Sequence, residues 1–97
     1  MVKTIPFDAA PFFTLPEAQQ ELLDDAFDSG NAPYIANALG VIAKARGMTA
    51  VAREAGVTRE GLYRALSEDG DPRLTTLLGV VRALGLKLSA HVAPAVE

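Results

Sequence analysis

The chain has no cysteine, which excludes a disulfide framework and any thiolate metal site. Histidine is almost missing as well, because His91 is the single one and the alternation around it places it on the polar side of a terminal segment. No apolar run approaches the roughly 18 residues of a membrane-spanning helix, and the N-terminus does not read as a signal peptide. A soluble, cytoplasmic protein with no membrane partner is therefore expected. There is no phosphate-cradling glycine loop, since Gly56 and Gly61 fall in a turn and inside a helix, and no internal repeat or low-complexity segment. Asp24, Asp25 and Asp28 recur at helical spacing but lack the glycine-bearing loop and closing glutamate of a calcium site, so a solvated helix face is the simpler reading. These absences leave no catalytic residue to name. The expectation is a protein that is not an enzyme and holds no metal or other cofactor.

What is present is enough for one domain. Ninety-seven residues support a single modest core, and a 49% hydrophobic content argues against disorder. The net charge of −3 conceals a division along the chain. Residues 1–40 set Lys3 against Asp8, Glu17, Glu21, Asp24, Asp25 and Asp28, whereas residues 41–66 set Lys44, Arg46, Arg53, Arg59 and Arg64 against Glu54 and Glu60. The basic middle suits a polyanion. The acidic first part suits a basic partner or simply keeps the chain in solution.

Residues 49–66, TAVAREAGVTREGLYRAL, read as two short helices hinged at one glycine. Ala52, four residues before Gly56, is small enough for two helices to cross closely, and Gly56 can take the positive φ of a tight turn. Val51 and Ala55 on the first helix, with Val57, Leu62 and Ala65 after the turn, form a shared inner face. Thr58, Arg59, Glu60, Tyr63 and Arg64 are then left outward, the composition expected of a helix that reads the major groove of DNA. Thr58 suits the helix N-cap. Arg59 and Arg64 could donate to guanine or phosphate, and Thr49, opening the first helix, could bring its hydroxyl to a phosphate. The competing reading is a solvated helical hairpin, a protein-binding module that keeps this shape without using it on DNA. Two arginines beside an exposed aromatic favour DNA.

In chain order, residues 1–15 hold two prolines and three phenylalanines without a helical period, and an extended arm is expected. Phe7, Phe12 and Phe13 should pack on the helices or dock on another protein, because each buried ring is worth about 1.5–3 kcal/mol. Residues 16–28 form a helix with Leu22, Leu23, Ala26 and Phe27 on one face, ended by Ser29-Gly30. Asn31 caps a second helix carrying Ile35, Ala38, Leu39 and Ile42, stopped by Gly47. Lys44 and Arg46 near its end complement the helix dipole or reach a phosphate. Gly61, inside an otherwise regular helix, points to a close approach of backbone or is simply a tolerated glycine. After the turn cluster at residues 67–72, Leu74, Leu77, Leu78, Val81 and Leu84 mark a fifth helix closing at Gly85. From Leu86 to Ala93 apolar residues alternate with Lys87, Ser89 and His91, the pattern of a half-buried strand that pairs with the arm near Thr4–Phe7 or with a second subunit.

The blocks IPFD (residues 5–8), YIANALGVIAKARGMT (34–49), VAREAGVTREGLYRALSEDGDP (51–72) and VVRALGLKLSA (80–90) give the chain a family likeness. It resembles the Xre-type antidote proteins of bacterial toxin–antitoxin addiction modules over nearly its whole length. Val41 and Gly61 depart from the pattern, where relatives favour an acidic residue and alanine. The resemblance implies an all-α, five-helix, lambda-repressor-like helix-turn-helix domain spanning residues 1–97. Its parts would be an extended arm (1–15), a helical core (16–85) containing the helix-turn-helix (49–66), and a short C-terminal β-strand (86–93). It also implies an antitoxin that represses its own operon and neutralises a small, basic, RelE-like toxin, a ribosome-dependent endoribonuclease. By motif match Thr49, Thr58, Arg59, Glu60, Tyr63 and Arg64 would contact double-stranded operator DNA. One recognition helix reads few base pairs, so a homodimer on a palindrome is expected, joined through the fifth helix and the terminal strand. The acidic first helix and the arm are the expected toxin-binding face. The alternative is a helical protein-binding module, or a general transcriptional regulator without a toxin partner.

Overall fold

The computed structural model describes residues 9–94, and the regular elements among them are all helical. A 3-10 turn at Ala10–Phe12 precedes five α-helices: α1 (Pro16–Ser29), α2 (Ala32–Arg46), α3 (Met48–Ala55), α4 (Arg59–Ala65) and α5 (Leu74–Ala83). Pro16 starts α1 because its fixed φ suits a first turn, where a missing N–H costs nothing. Asn31 starts α2 by accepting a hydrogen bond from the Tyr34 N–H at 2.9 Å. The ends of α3 and α5 are built alike. Gly56 (φ 78°) and Gly85 (φ 71°) turn the chain into the left-handed region. The next residue, Val57 or Leu86, then donates its N–H back to the Ala52 or Val81 carbonyl, at 3.0 and 2.9 Å. This is the Schellman stop, in which an apolar residue after the glycine folds back on the helix it ends. Val57 and Leu86 accordingly pack against the core.

α1 packs on α2, and α3 sits among α2, α4 and α5. The centre is made by Leu39 and Ile42 of α2, Val51 of α3, Leu62 of α4 and Val80 of α5, all fully buried. Four helices thus meet on five side chains. α2 crosses the end of α4 at Gly40, where a Cβ would stand 2.7 Å from the Leu66 carbonyl oxygen. Gly40→Ala should therefore destabilise: the overpacking costs about 1–3 kcal/mol, against roughly 1 kcal/mol regained in helix propensity. Urea unfolding checks this through a lower midpoint at unchanged slope. A raised midpoint would mean that the crossing can open.

One side-chain bond joins α1 to α2. The Tyr34 hydroxyl donates to Asp25 Oδ2 at 2.5 Å. That bond, foremost, raises the Tyr34 phenol above its ordinary value of 10.0, with partial desolvation and the carboxylate's charge adding to it. The folded protein holds this proton longer than the unfolded chain. The stabilisation is therefore complete below the ordinary tyrosine value and is lost as pH rises through it toward the folded one. In a Tyr63→Phe background, ultraviolet titration should show Tyr34 ionising late, and Asp25→Asn should bring it back down. Identical titrations with and without Asp25 would show that the bond does not form in solution.

The structure departs from expectation in several places. Residues 86–93 form no strand, and no strand occurs among the described residues. The alternation is real, but a strand needs a partner for its backbone groups and none lies alongside among the described residues. Leu86 is instead taken up by the Schellman stop, while Leu88 and Val92 stay exposed. The proposed pairing with Thr4–Phe7, like Phe7 itself, lies outside the described residues. The stretch expected as an extended arm contains the 3-10 turn, which packs on α2; Ala10 is buried, Phe13 half-buried and Phe12 exposed. Phe27, Leu74 and Leu78 were expected inward and are exposed, because α1 and α5 each bury a narrower face than their apolar residues could cover. On α5 that face is Gly79, Val80 and Val81.

Candidate nucleic-acid interface

α3 and α4 are joined by Gly56, Val57 and Thr58. Val51, Ala52 and Leu62 are buried between them and their neighbours, and Ala55, Val57 and Ala65 are half-buried, so the predicted inner face lies inward. α3 begins one residue earlier than expected. Gly47 is its cap and Met48 its first residue, which leaves Thr49 exposed within the first turn rather than opening the helix. Thr58 does cap α4: its Oγ1 accepts from the Gly61 N–H at 2.9 Å. The same hydroxyl is the atom nearest to Gly61's missing side chain. A Cβ there would meet Thr58 Oγ1 at 2.9 Å and no other atom nearby, so no backbone from elsewhere in the described residues closes on Gly61.

Arg59, Glu60, Tyr63 and Arg64 are all exposed. Because Leu62 points into the core, Glu60 and Arg64, two residues to either side of it, occupy the outward ridge of α4. Arg59 and Tyr63 share the flank turned toward α2. There the Arg59 guanidinium stacks on the Tyr63 ring at 5.5 Å from its centroid, Nη2 donates to the Tyr63 hydroxyl at 3.5 Å, and Lys44 Nζ lies 6.0 Å from the same centroid. The opposite flank faces the loop after α4, in a depression lined among others by Arg64, Arg73, Asp69 and Asp71. Of the six residues named from sequence, Glu60 and Arg64 thus stand on the ridge of α4 and Arg59 and Tyr63 on one flank, while Thr58 caps the helix and Thr49 is exposed on α3.

Two residues stand differently from their sequence reading. Arg46 turns away from this face and donates from Nη2 to the Leu84 carbonyl at 3.1 Å, placing its charge at the negative end of α5. Lys44 turns toward it. Arg73 was not expected near the site, because its position depends on the turn at residues 67–72 and no periodicity reports on that. Among the described residues there is no group of three or more His, Asp or Glu side chains able to hold a metal ion, and no helix long and apolar enough to cross a membrane.

Fold and surface together define a small, all-helical protein that displays a cation-bearing helix pair. The chain belongs to a family of antidote proteins: the family model described as "probable addiction module antidote protein" matches residues 3–92. An uncharacterized protein of Haemophilus influenzae is 44% identical over 85 residues, 88% of each chain. No solved structure matches significantly. Membership of this family makes the chain an antitoxin of a toxin–antitoxin system, with a toxin as partner.

Proposed function

We propose that this antitoxin is of the Xre type: a lambda-repressor-like helix-turn-helix formed by α3 and α4 binds operator DNA and represses the operon encoding antitoxin and toxin. The observation that carries the reading is the capped, exposed helix α4, whose outward side presents Arg59, Glu60, Tyr63 and Arg64. A helix of this kind fits the major groove, with the preceding helix against the backbone. Thr58 and Thr49 supply hydroxyls at the edges of that contact. The protein acts in the cytoplasm as a homodimer on a palindrome whose half-sites are about 34–36 Å apart. Leu74 and Leu78, exposed one turn apart on α5, are the proposed dimer contact. Light scattering should give twice the chain mass; a monomer both free and on DNA would contradict this.

The toxin is a small, basic, RelE-like protein, and α1 is its proposed docking face. Glu17, Glu21, Asp24 and Asp28 run down the exposed side of α1, and that helix contains no basic side chain. Co-expression with the neighbouring gene tests this directly. Relief of growth arrest and co-purification of the two proteins are expected, together with repression of a reporter driven by the upstream DNA. Arrest that persists beside folded antitoxin would contradict neutralisation, and an unrepressed reporter would contradict operon control.

A further inference from the structure

Lys44 and Arg59 come from different helices, yet both lie within 6.0 Å of the Tyr63 ring centroid. Both are exposed, and neither is paired with a carboxylate. Bringing two like charges to one ring is unfavourable unless the ring's negative faces, or a bound anion, compensate. The ring meets part of that need. Tyr63 is 40% exposed, so the surface beside it remains open to a ligand. Asn37, Lys44, Tyr63, Ser67 and Glu68 line one recess there, between α2 and the end of α4. Glu68 makes no ion pair with Lys44.

We propose that Lys44 and Arg59, set about Tyr63, form a site for a phosphodiester group of the DNA backbone. The inference rests on the DNA-binding reading given above and assigns different tasks within that face. Lys44 extends the contact from the helix pair onto α2. Arg59, stacked and hydrogen-bonded on the flank of α4, contacts backbone, while Arg64 on the outward ridge is left to reach base edges. Tyr63 is a positioning residue: its ring orients the guanidinium and its hydroxyl accepts from Nη2. The other flank carries two carboxylates, Asp69 and Asp71, in the depression lined by Arg64 and Arg73, against the single Glu68 in the recess beside Tyr63.

A phosphate contact and a base contact leave different signatures. Neutralising a phosphate-binding cation lowers the slope of log affinity against log salt by about 1 and weakens all sequences alike. The experiment titrates wild type, Lys44→Gln, Arg59→Gln and Tyr63→Ala against the duplex upstream of the protein's own gene and a scrambled duplex, at several salt concentrations. Lys44→Gln and Arg59→Gln should each reduce the slope by about 1 and weaken both duplexes by the same factor. Tyr63→Ala should remove most of the further effect of Arg59→Gln, and Tyr63→Phe, which keeps the ring, should retain it in large part. Melting curves establish that each variant is folded. An unchanged slope in Lys44→Gln, or a loss in Arg59→Gln confined to the upstream duplex, would overturn the site while leaving the DNA-binding reading intact. A wild type that binds neither duplex would overturn both.

Discussion

Leu62→Ala is expected to lower stability by about 2–5 kcal/mol, the range for removing a buried leucine and leaving a partly collapsed cavity. Leu62 is fully buried and is the single such anchor of α4, a helix of seven residues. So short a helix has little stability of its own and is held by its packing. It shares one core cluster with Leu39, Ile42, Val51 and Val80, so its loss loosens the core that α2, α3 and α5 also build. In a chain of this size each kcal/mol corresponds to about 4–8 °C in Tm, so circular dichroism should show a drop on the order of 8–40 °C. A change under about 1 kcal/mol would show that α4 is held by something other than Leu62.

The second large effect falls on binding. Arg64→Ala should weaken the specific duplex by roughly 5- to 150-fold, corresponding to the 1–3 kcal/mol of a good base contact, while binding to a scrambled duplex changes little. Arg64 is exposed and its side chain makes no described bond, so the melting temperature should hold. Gel-shift or anisotropy titration of both duplexes checks the ratio. Equal weakening of both would make Arg64 a backbone contact, and a lowered Tm would make it structural.

Helix boundaries were legible wherever a local device sets them. Asn31, Thr58, Gly56 and Gly85 each act through a cap or a left-handed turn fixed by one or two neighbouring residues. The inner face of the α3–α4 pair was legible for the same reason, since Ala52, Gly56 and Leu62 fix the crossing by size and spacing. What depends on distant neighbours was not. Phe27, Leu74 and Leu78 obey helical periodicity, but which apolar residues are covered depends on how far the next helix extends. The alternation after Gly85 signalled a strand without supplying a partner for it. On the candidate interface, the exposed set on α4 followed from periodicity. Its division into ridge and flank did not, because it depends on α2 placing Lys44 against Tyr63 and turning Arg46 to the Leu84 carbonyl.

The most direct measurement is a salt-dependent titration of the purified protein against its own upstream DNA and a scrambled control. Preference for the upstream duplex by a factor of about 10³ or more, with affinity falling steeply as salt rises, is the predicted result. Equal, weak binding to both duplexes would contradict a DNA-reading antitoxin and leave the α3–α4 pair as a surface for proteins alone.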